Sequence, residues 1–176
     1  MAEILPTFKT QALLLRRFIE SDIEFVFLGL SNPAVITHYG ISFKNLAETK
    51  LQMEWFKDLE LKGTGAWWAI FDAEGKEFYG AAGLNNLSKE HRKAEIGFWL
   101  LPSFWGKGII QTAVDLVCAY GVEQAGLHRF EAFVESGNKN CKSLMNKLNF
   151  IHEGTMRDCE IKNGKFISLE IYAKIY

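Results

Sequence analysis

Gly106 and Gly108 lie in the loop Trp105-Gly106-Lys107-Gly108, between a run of strand-forming residues that ends at Pro102 and an apolar helical pattern that begins at Ile109. That order, strand then loop then helix, points free backbone N–H groups and the positive end of a helix dipole outward from the strand's end. A phosphate or pyrophosphate suits such a place, because residues without a Cβ let an anion approach the main chain closely. Glycine-bearing loops also serve only to turn a chain before a helix, and on the loop alone both readings stand. The four histidines, His38, His91, His128 and His152, show no triad or metal-ligand spacing. Cys118, Cys141 and Cys159 are odd in number and include no C-x-x-C pair, which argues for a reducing cytosol and against a zinc site or disulfide scaffold.

The elements that must position these residues follow from periodicity and punctuation. Ala12–Phe18 reads as a first strand, and Ser21-Asp22-Ile23-Glu24 as a capping box that opens a helix ending before Pro33. Asn45 can cap a second helix, 46–61, with Leu51, Trp55 and Leu59 on one stripe. Between them lies 34–43, rich in His38, Tyr39 and Phe43 and without clear period. Ala66–Asp72 and Phe78–Leu84 are strands joined by a polar turn, and 94–101 is the strand that enters the glycine loop. After a long helix to about Gln124 come a strand Arg129–Glu135 and a short helix 139–148 capped by Asn138. Two closing strands, 150–156 and 166–176, flank the turn Asn163-Gly164; in the last, Ile167, Leu169, Ile171, Ala173 and Ile175 share one face. Periodicity alone gives one α/β domain over residues 1–176.

Composition bounds the function classes. A chain of 176 residues with 48% apolar and 14% aromatic side chains is long enough to bury a sizeable core and is no disordered tail. Twenty basic against 21 acidic residues leave no nucleic-acid footprint. No stretch has the length of a membrane span, and the N-terminus has no signal-peptide pattern, so a soluble cytoplasmic protein without a membrane partner is expected. A homo-oligomer is compatible with all of this.

The wording of 100–108, Leu-Leu-Pro-Ser-Phe-Trp-Gly-Lys-Gly, resembles the strand, bulge and pyrophosphate loop of GNAT-superfamily N-acetyltransferases, and the resemblance runs from about Leu13 to the C-terminus. It is nearest to the RimJ/RimL-like branch, which acetylates ribosomal-protein N-termini. The family's loop reads R/Q-x-x-G-x-G/A; here Trp105 stands for R/Q, Gly108 matches and Ile110 replaces glycine or alanine. The second family motif, N-x-x-S, reads Asn138-Lys139-Asn140-Cys141, with Asn149 at a usual glycine.

The resemblance implies a GNAT fold, a central and mostly antiparallel mixed sheet with helices on both faces, and acetyl-CoA as co-substrate with no metal. It implies that main-chain groups of Trp99, Leu100 and Leu101 pair with the pantetheine arm. The amides of Gly106, Lys107, Gly108, Ile109 and Ile110 would hold the pyrophosphate, and Asn138 the pantetheine. Lys139 and Lys142 are placed to meet the 3′-phosphate. Cys141 replaces the serine that assists the leaving thiolate, and a helix N-terminus should lower its pKa; a small buried filler is the other reading of this residue. Glu160 matches a glutamate taken as general base, with Glu95 and Glu170 as competitors. Segment 34–43 would form part of the acceptor groove. The leading acceptor is a protein N-terminal α-amine, followed by a polyamine or other small amine; a CoA-binding regulatory module with little turnover is the reading from another class.

Overall fold

The computed structural model describes residues 5–176. The chain forms β1 (Phe8–Lys9), β2 (Leu13–Arg17), α1 (Ile23–Leu30), α2 (Pro33–Ile36), α3 (Leu46–Lys62), β3 (Ala66–Asp72), β4 (Phe78–Ser88) and β5 (Lys93–Leu100). It continues with α4 (Ile109–Glu123), β6 (Arg129–Glu135), α5 (Lys139–Lys147), β7 (Ile151–Lys162) and β8 (Lys165–Ile175). The strands make one eight-stranded sheet in the order β1-β2-β3-β4-β5-β6-β8-β7. Neighbours are antiparallel except β5 and β6, which run parallel because α4 carries the chain back across the sheet between them.

The sheet is covered on both faces, and β3 shows why its residues are apolar from Ala66 to Phe71. Trp67, Ala69 and Phe71 enter the core shared with α1 and α3, through Val26, Leu30, Phe56 and Leu59. Ala66, Trp68 and Ile70 enter the opposite core, with Val114 and Val117 of α4 and Met145 of α5. Trp67 lies across its neighbours: it is opposite Gly83, which is opposite Gly97. A Cβ on Gly83 or Gly97 would come within 2.4 or 2.7 Å of that ring. Its Nε1 donates to Asn85 Oδ1 at 2.6 Å.

Most expected elements are present, with four instructive differences. The capping box at Ser21 does not form. Instead Asp22, 2% exposed, accepts from both terminal nitrogens of Arg16 at 2.7 and 2.9 Å and from the Ile19 N–H at 2.9 Å, which winds 20–22 into a single turn before α1. Helix α3 is capped by Asn45 as read, but it buries Thr49, Gln52, Phe56 and Leu59, while Leu51 is 64% exposed. Its rotation is set by Phe56, which stacks on Phe18 at 4.4 Å and packs on Trp67. In β8 the clean two-faced pattern fails, because Leu169 and Ala173 on one face and Tyr172 on the other are all buried. Strand β7 runs to Lys162, and the register between Met156 and Glu160 is irregular, so side-chain alternation cannot be carried through this stretch. Among the described residues no helix is long and apolar enough to cross a membrane.

Candidate functional site

The parallel pairing of β5 and β6 lasts only from Lys93 opposite Arg129 to Glu95 opposite Glu131. Beyond it β5 stays with β4 to Leu100 and β6 stays with β8 to Glu135, so the two strands part and leave a wedge in the sheet. The closed end is pinned by Glu131, which accepts from Lys93 at 3.1 Å and from Arg129 at 2.8 Å. Burial alone raises the Glu131 carboxyl; its two cationic partners outweigh that and hold it below the ordinary value. Along the wedge, the inner edges of β5 and β6 have no strand to complete their ladders, a place where an extended ligand can add main-chain bonds.

The resemblance implied a bulged strand here. The pairing instead shows β5 in unbroken register with β4 from Glu95 to Leu100, with the irregularity in β4 near Asn86. The side chains of Trp99, Leu100 and Leu101 are buried. Beyond the ladder with β4, three of their backbone groups are already used. The Leu101 N–H donates to the Tyr79 carbonyl at 2.9 Å, the Leu101 carbonyl accepts from the Phe104 N–H at 3.0 Å, and the Leu100 carbonyl accepts from the Trp105 indole N–H at 2.8 Å. Trp105 therefore folds the glycine loop back onto the end of β5, which is what an aromatic donor does at this position in place of a charged or amide side chain. Among the described residues the buried indole nitrogen of Trp99 has no hydrogen-bond partner.

Both loop glycines adopt left-handed backbone, φ 75° at Gly106 and 77° at Gly108, a region costly for residues with a Cβ. Gly108 is the N-cap of the 15-residue α4 and offers no side-chain cap, so the first-turn amides remain outward-facing donors. Among the described residues, the chain neighbours of each glycine aside, no atom lies within 4 Å of where a Cβ on either would be. The loop thus presents open space beside amides and the exposed Lys107, a fit for a pyrophosphate. The Ile110 side chain is buried in the core beneath α4, so this position has only its amide to offer a ligand.

At the far side of the wedge Asn138 caps α5, its Oδ1 accepting the Cys141 N–H at 3.0 Å. Cys141 differs from expectation: burial pushes its thiol up to about 12, overriding the helix terminus, so the group stays protonated at neutral pH. Lys142 donates to Glu170 Oε1 at 2.8 Å, while Lys139 is exposed. Glu170 also accepts from Tyr172, and its ion pair with Lys142 holds it below the ordinary carboxylate value. Glu95 accepts from Asn86 at 2.8 Å. Glu160 is exposed on β7, where its backbone pairs with Ile167, and among the described residues its carboxylate has no hydrogen bond or ion pair.

One cluster had no signal in the sequence. His38, in the segment between α2 and α3, places Nδ1 2.7 Å from Glu135 Oε2, although the two are 97 residues apart. Lys162 bonds the other oxygen of Glu135 and donates to the Thr37 carbonyl at 2.8 Å. A cavity of about 330 Å³ adjoins it, lined by Ile36, Thr37, Tyr39, Ile41, Ser42 and Lys162 among others. Tyr39 and Phe43, in the segment expected to form part of the acceptor groove, both pack against the core under α1 and α3, and burial raises the Tyr39 phenol.

Residues 12–151 match the family of acetyltransferase (GNAT) domains. The chain belongs to that family. It is 31% identical to the uncharacterized N-acetyltransferase YoaA of Bacillus subtilis over 96% of both chains. With the ribosomal-protein-serine acetyltransferase of Escherichia coli it shares 27% identity over 66% of this chain and 64% of that one. With the E. coli spermidine N(1)-acetyltransferase it shares 22% over 86% and 80%. The apo structure of RimL, a ribosomal L7/L12 α-N-protein acetyltransferase, superposes with a TM-score of 0.88 at 25% identity, covering all of this chain and 96% of that one. The GNAT chain described here is an acyltransferase acting on amines, built on an α/β domain with one mixed sheet.

Proposed function

We propose that this GNAT domain transfers the acetyl group of acetyl-CoA to the N-terminal α-amine of a protein or peptide, in a ternary complex. The observation that carries the choice of acceptor is the charge of the cavity between 33–42 and the β7–β8 hairpin. Its lining residues include one charged side chain, and that is a lysine. A polyamine needs carboxylates along its length, and this lining supplies none. Glu135, the carboxylate that Lys162 brings to the cavity's edge, is already bound by Lys162 and His38. The mixed surface of Ile36 and Tyr39, half-buried, with Thr37 and Ser42, exposed, suits the first residues of a peptide instead.

On this reading the edge of β5 at Trp99 and Leu100 takes the pantetheine arm. The amides of Gly106, Lys107, Gly108, Ile109 and Ile110 take the pyrophosphate, and Asn138 adds a side-chain contact. Leu101 has both backbone groups bonded within the chain, its N–H to Tyr79 and its carbonyl to Phe104, so it adds to the arm only through a second bond at that carbonyl. Such an acceptor is met in the cytoplasm, which the three free cysteines suit.

The test is to incubate the protein with acetyl-CoA and either a peptide carrying a free N-terminus or spermidine, and to follow thiol release. The peptide is expected to be acetylated and spermidine to be a far poorer acceptor. Preference for spermidine would overturn the acceptor assignment. Binding of acetyl-CoA with no turnover on either would favour a CoA-binding regulator.

A further inference from the structure

We propose that His38 is the general base that takes the proton from the incoming amine, and that Glu135 is the residue that positions it. The inference rests on the amine-acetylation reading and deepens it. Glu135 is the last residue of β6, at the open end of the wedge, where β6 pairs only with β8. Its carboxylate accepts at Nδ1 of His38, which fixes the ring proton on that nitrogen and leaves Nε2 with its lone pair. Among the described residues Nε2 has no hydrogen-bond partner.

The ring stands where chemistry is expected. Cε1, the carbon between the two nitrogens, lies 3.9 Å from the place a Cβ on Gly137 would take. Gly137 precedes Asn138, the cap of α5, so the imidazole sits against the β6–α5 junction that borders the wedge. His38 is 38% exposed, open enough to be reached by a substrate, whereas Glu135 is 15% exposed. Burial pushes the Glu135 carboxyl up, but the bonds from Lys162 and His38 outweigh it and hold the group below the ordinary value, so it remains an anionic acceptor at neutral pH. Glu135 of β6 and Lys162 of β7 are the charged groups facing this cluster from the packed elements. The other carboxylates are less suited. Glu170 is ion-paired with Lys142, Glu95 is bonded to Asn86, and Glu160 stands on the exposed face of β7.

In the step assigned to it, Nε2 takes one proton from the ammonium R–NH3+. The freed nitrogen lone pair forms the C–N bond at the thioester carbonyl carbon, and the carbonyl π electrons move to oxygen. When that oxygen's electrons return, the C–S bond breaks and its pair leaves on sulfur. The second proton lost by the nitrogen goes to that sulfur, giving the amide and free CoA thiol, and the first is released from His38 to water.

Two amines separate this role from a structural clamp. An ordinary peptide α-amine must lose a proton before attack, whereas trifluoroethylamine is largely neutral at the assay pH and needs no base. His38→Gln is expected to lower kcat/KM on the peptide by about 10²–10⁴-fold and to abolish the acidic limb of its pH profile. The same variant should lose much less on trifluoroethylamine and keep its affinity for acetyl-CoA. Glu135→Gln should lower kcat on the peptide while leaving KM for acetyl-CoA unchanged, because the ring loses the carboxylate that orients it at Nδ1. Equal losses on both amines with the limb in place would make His38 a clamp and overturn the proposal. So would a Glu160→Gln loss on the peptide that exceeds the His38→Gln loss. A wild-type protein that acetylates neither amine would refute the acceptor reading instead.

Discussion

At Cys141 two effects compete, and their magnitudes decide its chemistry. A helix N-terminus favours a thiolate, yet burial dominates and raises the thiol to about 12. Full proton transfer from it to a leaving thiolate of ordinary pKa, about 8.5, would be uphill by about 5 kcal/mol. Cys141 can therefore offer a hydrogen bond and no more. Cys141→Ala is expected to lower kcat by about two- to tenfold, the worth of one hydrogen bond, while Cys141→Ser keeps or raises it. Steady-state kinetics of the three proteins check this, and identical rates would make Cys141 a packing residue. Asn138 as a helix cap was legible because capping is local: the acceptor oxygen and the amide it serves are three residues apart. The His38–Glu135 pair was not, since nothing short of the folded sheet brings together residues 97 apart.

Elements were legible where a short-range rule governs them. Strand β3 and strand β6 have the bounds that their apolar runs and turn signals dictate, and the αL pair Asn163 and Gly164 marks the β7–β8 turn. What failed was rotation and continuation, which tertiary contacts set: the buried face of α3 follows Phe56 on Phe18, and β7 extends past Met156 through an irregular stretch that no periodic pattern encodes. Glycines inside strands were silent for the same reason. Gly97 reads as a weak strand residue until Trp67 is seen lying over it. Adding a methyl there overpacks a ring that is 1% exposed, so Gly97→Ala should destabilise by about 1–3 kcal/mol. For a domain of this size that is a fall of about 2–10 °C in thermal midpoint. An unchanged midpoint in calorimetric melting would show that the ring yields freely.

The molecule as a whole is a sheet clamped between two helical layers and opened at one place. The cores on either face hold β2 to β5 rigid, while the short parallel contact between β5 and β6 lets the strands part after Glu95. That wedge brings the glycine loop, the strand edge and the cap of α5 to one site, with the His38–Glu135–Lys162 cluster and its cavity at the open end. The central claim is that the loop at the start of α4 is where the donor's pyrophosphate binds. The direct test is calorimetric titration of acetyl-CoA into the wild-type protein and Gly108→Val, each shown to be folded by its melting transition. A side chain at 108 would enter space free of protein atoms, though at some cost in backbone strain at φ 77°. The expected result is tight binding by the wild type and a loss in the variant of more than tenfold, about 1.4 kcal/mol. Equal affinity in two folded proteins would contradict the account.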